Sequence, residues 1–237
     1  MQITYTGKEQ VAEGTMLFRF QKPDGFAYKA GQSIDLAIPN MTATDPRGNM
    51  RPFTLSSAPH ESDLYVTTRM TGSPFKETLA GMEPGAALEI EGPFGDLTLH
   101  ENVSRPAVFL AGGIGVTPFH SMALDAAHRA LPHSIVLFYS NRRPEDAPFL
   151  SELLALEKQN QNFTLVATMT EMEKSSQAWE GERGYVTIEM IDRHVSRANN
   201  PLFYIAGPAA MVAAMRAELN GAGVSGDDIR TEEFTGY

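Results

Sequence analysis

The chain contains no cysteine in 237 residues. Disulfides, cysteine-ligated zinc, cysteine-held iron–sulfur clusters and thiol nucleophiles are therefore excluded. Long apolar runs are also missing; none approaches the ~18 residues that cross a bilayer. The opening stretch MQITYTGKEQ lacks the apolar core of an export signal. Both absences lead to the expectation of a cytoplasmic protein without a membrane span. Positive charge is scarce, with 19 Lys and Arg against 29 Asp and Glu and a net charge of −10. Met1–Asn102 holds 8 basic and 13 acidic residues and the remainder 11 and 16, so each half carries −5 and neither has a basic tail. No nucleic-acid partner is expected, because phosphate neutralisation needs clustered cations. The 6 histidines show no H-x-H or H-E-x-x-H spacing, so no metal site is expected. His120 and His128, eight apart on one predicted helix, read as a solvated face. GVSG at Gly223–Gly226 lacks the spacing of a G-x-S-x-G nucleophile elbow, which leaves hydrolase chemistry unsupported.

What is present divides into two grammars. Up to about Asn102, short β-type runs (TMLFRFQKP, AGQSIDLAIP, RPFTLSS, DLYVTTRM, ALEIEGPFGDLTL) alternate with Gly/Pro turns. This spacing predicts an antiparallel barrel or sandwich. The polar segment Asn40–Asn49 reads as a surface loop. One short helix is expected through FKETLAGM, with Ser73 as N-cap and Pro74 as its first residue. From Val103 onward strands and helices alternate, the signature of a parallel sheet. AVFLAGG is a strand with almost no polar residue, as buried parallel strands tend to be. Helices are expected near Thr117–Leu131, PFLSELLALEKQ, TIEMIDRHV and AAMVAAMRAELNGAG. The expected domains are 1–102 and 103–237, with the boundary inside His100–Pro106.

Three short stretches carry chemistry. RPFTLSS, Arg51–Ser57, sets a cation, an aromatic ring and several hydroxyls within seven residues; taken alone, it also reads as a plain antiparallel strand. LAGGIGVTPF, Leu110–Phe119, runs an apolar strand into three glycines and then Thr117 and Pro118 in helix-starting order. Glycines admit a close ligand and a helix N-terminus offers free N–H groups, so this turn suits a pyrophosphate. It is neither G-x-G-x-x-G nor a P-loop, and a glycine-rich turn without a ligand is the plain alternative. A second glycine turn, YIAGPAAM at Tyr204–Met211, follows a later strand. Ligands of open α/β sheets bind beyond the carboxyl ends of the strands, so two such turns can border one crevice beside the YSNRRPED loop. A dinucleotide fits that arrangement better than a single phosphate.

Together these motifs resemble the ferredoxin–NADP(+) reductase superfamily over nearly the whole chain. RPFT (Arg51, Pro52, Phe53, Thr54) looks like its R-x-[YF]-[ST] flavin motif, and GPFG at Gly92–Gly95 like its turn between the halves. GGIGVTP (with Gly112, Gly113, Gly115, Thr117 and Pro118) is similar to the pyridine-nucleotide loop. AGP at Ala206–Pro208 resembles the C-G-P turn and TEEF the terminal E-x-F. The resemblance implies an N-terminal FAD-binding β-barrel and a C-terminal NAD(P)-binding α/β domain. It implies Arg51 at the FAD pyrophosphate, Phe53 on the isoalloxazine ring and Thr54 near its reactive nitrogen. Val66, Thr67 and Thr68 would flank the cofactor's chain, and Gly72, Ser73 and Lys76 its phosphates. Gly207, Pro208, Met211, Asn141, Arg142 and Arg143 would serve the nucleotide.

The implied chemistry is hydride transfer from NAD(P)H to FAD, followed by electron passage to a separate acceptor such as a ferredoxin, flavodoxin or oxygenase component. Thr54 and Glu232 are the expected catalytic pair, with Glu233 as an alternative to Glu232. Ala206 stands where many relatives place a cysteine. Tyr237 either covers the flavin or is a loose end. Arg142 and Arg143 tip the nucleotide towards NADP, while Glu145 and Asp146 favour the bare ribose of NAD. An acidic acceptor would need a local basic patch, for which Lys22, Lys29, Arg47, Arg69 and Lys76 are candidates. Two other functions stay open: a flavin reductase using free flavin, and a non-catalytic nucleotide-binding subunit or redox sensor.

Overall fold

The computed structural model describes residues 1–234. Tyr237, and with it the expected aromatic lid, lies outside the described residues. The first half opens with a hairpin of β1 (Gln2–Ala12) and β2 (Thr15–Gln21). There follow β3 (Ser33–Ala37), β4 (Met50–Thr54), β5 (Asp63–Arg69), helix α1 (Pro74–Ala80) and β6 (Ala87–Phe94). The six strands run antiparallel in the order β4-β3-β6-β1-β2-β5. A bridge between Leu55 and Val66, with Ser56 N–H donating to the Tyr65 carbonyl at 2.9 Å, draws the two edge strands together into a barrel. Strand β1 goes beyond the runs expected from sequence. Its inward residues Ile3 and Tyr5 alternate with polar neighbours, the pattern of a half-buried strand. Helix α1 begins as its sequence dictates: the Ser73 hydroxyl accepts from the Lys76 N–H at 3.3 Å and Pro74 takes the first turn. Phe75 and Leu79, one turn apart, plug the barrel core.

The second half is a parallel sheet flanked by helices. Its elements are β7 (Ala107–Gly112), α2 (Val116–His128), β8 (Ile135–Asn141), α3 (Leu150–Gln159) and β9 (Phe163–Met169). Then come β10 (Glu182–Arg183), α4 (Ile188–His194), β11 (Leu202–Pro208), α5 (Ala209–Gly221) and β12 (Ile229–Phe234). All neighbours in the order β10-β9-β8-β7-β11-β12 are parallel. Every residue of β7 is buried. Ala107, Phe109 and Ala111 face one core while Val108 and Leu110 face the other, which is why this strand shows no polar alternation. Burying one such large side chain stabilises by about 2 kcal/mol.

His120 corrects the expectation of a solvated face. It is 3% exposed, because α2 is buried at every position from Val116 to Ala123. Its ring stacks on Phe149 at 3.9 Å. Nδ1 meets the Ser56 carbonyl at 2.8 Å and Nε2 the Glu152 carboxylate at 2.9 Å, so both nitrogens face acceptors. Next to it, the Ser121 hydroxyl donates to the Ser57 carbonyl at 2.6 Å. These two residues stitch α2 to the segment that follows RPFT. His128, by contrast, is exposed and stacks on His60 at 3.8 Å. No described helix is long and apolar enough to cross a membrane.

Candidate active site between two clefts

The first cleft opens along β4 and β5, and Arg51, Phe53, Thr54, Thr67, Thr68 and Lys76 all line it. Cations converge at one end. Burial, with Arg47 and Arg51 close by, depresses the Lys76 ammonium to about 8. Its Nζ donates to the Arg69 carbonyl at 2.7 Å. A desolvated lysine held beside two guanidiniums is a site short of negative charge, and a pyrophosphate supplies it. Arg51 has a divided role. Its Nη1 donates to the carbonyls of Arg47, Gly48 and Met50, and Nη2 pairs with Asp45 at 2.5 Å. Asp45 also accepts the N–H groups of Arg47 (2.9 Å) and Phe75 (3.2 Å), the first of which most strongly keeps its carboxyl below the usual range. The polar loop Asn40–Asn49 thus folds one carboxylate inward to hold the arginine.

At the other end the two sheets meet. The Thr54 hydroxyl donates to Glu232 Oε1 at 3.2 Å, across 178 positions of sequence. Burial pushes the Glu232 carboxyl up, the Thr54 hydrogen bond opposes that and Asp96 adds to it. Glu233 also lines this cleft. Ile114 and Thr117, from the glycine turn, close its floor. Thr117 therefore faces the first cleft, with its hydroxyl donating to the Ile114 carbonyl at 3.1 Å.

The second cleft, about 640 Å³, lies over the carboxyl ends of the parallel strands. Gly112, Gly113, Pro208 and Met211 border one side of it, Asn141 and Arg142 the other. Gly113 has φ +52, a left-handed conformation that other residues adopt at a strain cost. Gly115 answers to packing instead: a Cβ there would stand 2.2 Å from the Ala206 carbonyl oxygen. The two glycine turns touch backbone to backbone, so they do border one crevice. Asn141 is 7% exposed and its Nδ2 has no hydrogen-bond partner, an unmet donor in the wall of the cleft. Arg69 lines both clefts, which makes them neighbours.

Several sequence-selected residues lie elsewhere. Val66 is fully buried in the barrel core and does not line the cleft, because its side chain packs into the cluster that holds Leu55 and Phe18. Gly72 takes φ +71 in the turn before α1, where it serves the backbone. Pro118 is buried within α2. Gly207 abuts Gly112 rather than the open cleft. Ala206 is buried in the core, so its methyl lines neither cleft. Arg143 does not line the second cleft: it pairs with Asp146 at 2.9 Å and with Glu13 of the first hairpin, and both hold it protonated beyond its ordinary range. Glu13 N–H donates to the Glu145 carbonyl at 2.8 Å, so this arginine fastens the two halves together. Sequence reasoning missed Glu171 and Tyr185 in the second cleft. Both sit just past strands whose ends only the topology brings together.

Residues 109–217 match the family described as "Oxidoreductase NAD-binding domain". Ferredoxin–NADP reductase B of Sorangium cellulosum is 29% identical over 226 residues, 91% of this chain and 89% of that protein. Over most of its length the chain is similar to proteins of the ferredoxin–NADP(+) reductase superfamily.

That likeness supports an FAD-dependent NAD(P)H oxidoreductase. The reductase component of propane 2-monooxygenase from Rhodococcus jostii is 28% identical over 217 residues, 90% of this chain. This chain spans only 57% of that relative's length. The ferredoxin NADP+ reductase of Neisseria gonorrhoeae, solved with FAD and NADP, superposes with a TM-score of 0.80 at 20% identity, covering 98% of both chains. The FAD/NAD-binding domain of nitric oxide dioxygenase from Vibrio cholerae gives 0.82 at 18%, again over 98% of both. At those identities the likeness speaks for the fold.

Proposed function

We propose that the first cleft holds FAD, the second admits NAD(P)H, and electrons leave to a separate protein acceptor of the oxygenase-component or ferredoxin kind. The observation that carries this is the Thr54–Glu232 hydrogen bond, which joins the two sheets inside the first cleft. FAD held there would supply two-electron acceptance from a reduced nicotinamide and one-electron release to the acceptor. The protein's part is to bind, orient and shield. Arg47, Arg51 and Lys76 hold the pyrophosphate end. Phe53, 6.0 Å from Phe75 between ring centroids, gives the ring system a braced apolar wall. Thr54 orients the reacting edge, and Glu232 fixes the Thr54 hydroxyl or holds a proton beside it, a task that its raised affinity for protons suits. Gly113 and Pro208 leave room for the nucleotide phosphates, and Asn141 offers its free amide N–H.

Named relatives that are reductase components of monooxygenases support a protein acceptor. The cations considered for docking divide between the first cleft and the outer surface, where Lys29 is exposed. Arg47, Arg69 and Lys76 line the first cleft, and Lys22 Nζ is held by the Pro59 carbonyl at 2.6 Å. A reductase of free flavin would need no cationic end to its cleft, so the convergence at Lys76 favours resident FAD. The test is the visible spectrum of purified protein before and after anaerobic addition of NADH or NADPH. Flavin bands that bleach are the expected result; bound flavin that neither nucleotide bleaches overturns the enzyme reading.

A further inference from the structure

The second cleft has a direction. Its dinucleotide must send the nicotinamide to Thr54 and Glu232, beside the glycine turn of β7 and the end of β12. The sheet order places β8 and β9 on the far side of β7. The adenosine half therefore runs over Asn141 and Arg142, after β8, and Thr170 and Glu171, after β9. Tyr185, 79% exposed, stands at this end as a flat surface for a base.

Carboxylates stand beside the cations at that end. Arg142 Nε lies 3.8 Å from Glu171 Oε1, and Lys174 Nζ 2.7 Å from Glu171 Oε2. Arg69 lies 3.7 Å from Asp146, and Arg143 is committed to Asp146 and Glu13. Among the described residues the cleft is lined by two cations, Arg69 and Arg142, and three carboxylates, Asp146, Glu171 and Glu218. A 2′-phosphate brings a charge of roughly −1.5 to −2; three carboxylates stand against it, and Arg142, the exposed cation, already has Glu171 3.8 Å away. A ribose diol brings two O–H donors, which a carboxylate with about four lone-pair sites accepts even while it holds a cation.

We infer that this cleft selects NADH over NADPH, with Glu171 as the residue that determines the choice by accepting from the adenosine ribose diol. The inference rests on the second cleft being the dinucleotide site and refines the proposed function by naming its nucleotide. It reverses the tendency towards NADP drawn from Arg142 and Arg143 as sequence. The hydrogen bond from Lys174 keeps the Glu171 carboxyl below its usual range, so the acceptor stays ionised at neutral pH. Discrimination of this kind is built against the wrong ligand as much as for the right one.

The test is kcat/KM for NADH and for NADPH in flavin-loaded protein with ferricyanide as acceptor, together with Kd for NAD+ and NADP+ by calorimetry. Wild type is expected to favour NADH by roughly a hundredfold, the size of an uncompensated like-charge placement. Glu171→Gln should shrink that ratio about tenfold, mainly through KM, and Glu171→Arg should bring the two nucleotides level or invert them. Glu171 lies on a surface turn, so both variants should fold, which the flavin spectrum checks. A wild type that prefers NADPH, or a Glu171→Gln ratio equal to wild type, overturns the inference while leaving the dinucleotide site standing. Oxidation of neither nucleotide by flavin-loaded protein overturns the site and the inference together.

Discussion

The two clefts are neighbours with opposite electrostatics. Four cations and two carboxylates line the first (Arg47, Arg51, Arg69 and Lys76 against Glu232 and Glu233); two cations and three carboxylates line the second. The first keeps a lysine partly stripped of water, an arrangement that favours an anionic guest that stays. The second sets carboxylates beside its cations, so the dinucleotide proposed for it would gain its hold from the glycine turns, hydrogen bonds and stacking. A resident cofactor needs slow release, whereas a substrate must leave at every turnover. Within one chain of net charge −10, the placement of charge separates those two tasks more clearly than its total does.

The comparison is broken most severely where the clefts share a wall. Gly115→Ala drives a methyl to 2.2 Å from the Ala206 carbonyl oxygen, a backbone atom with nowhere to go. Overpacking of this kind should destabilise by about 3 kcal/mol and disturb both clefts at once. Urea unfolding read together with flavin retention and nucleotide oxidation checks it. Loss of one activity with the other untouched would mean that the wall is not shared. His120→Ala comes second. It removes the bond to the Ser56 carbonyl and the stack on Phe149, for an expected loss of about 2 kcal/mol. Because the stitch sets how the halves meet, NADH oxidation should fall even below the melting temperature.

The legibility of this molecule follows the same division. Strand–helix alternation revealed the parallel sheet because β7 is buried on both faces and shows no polar residue. The grouping of Arg51, Phe53 and Thr54 was legible because they are contiguous and all reach one cleft. What stayed hidden depends on partners distant in sequence. Arg143 read as a nucleotide ligand, yet its partner is Glu13, 130 positions away. His120 read as solvated because periodicity cannot report that a second sheet covers the helix. The family resemblance assigned Val66 to the cofactor with Thr67 and Thr68, whereas the closing bridge to Leu55 draws it into the core. Glu171 escaped notice because only topology brings the ends of β8 and β9 together.

Smaller changes sharpen the contrast. Glu232→Gln keeps the Thr54 contact but removes the ionisable group, and should lower turnover roughly tenfold if Glu232 holds a proton and hardly at all if it only positions Thr54. Stability should move the other way. A carboxyl whose affinity for protons is raised on folding contributes stability below its unfolded pKa and loses it as pH rises through the folded one. Glu232→Gln should thus melt higher than wild type at pH 8, with the gap closing by about pH 4, near the unfolded carboxyl pKa. Thermal melts across that range decide it.

Lys76→Met gives the smallest effect and the most direct reading of the first cleft. In the flavin-free protein the ammonium is depressed to about 8, so it is charged at pH 7 and loses its proton as pH climbs past 8. A bound pyrophosphate favours the charged form and raises that value, so binding above pH 8 takes up a proton and weakens as pH increases. The flavin-free protein behaves in reverse: Lys76 contributes most above its unfolded pKa of 10.5, and that contribution is lost as pH falls through 8. Wild-type FAD affinity should therefore be flat from pH 6 to 8 and then decline. Lys76→Met should bind about threefold more weakly at pH 7, as expected for one partly exposed charge contact, and show no such decline. A variant whose FAD affinity still falls above pH 8 would mean that another group carries the titration, and that the contrast between the clefts does not reside in Lys76.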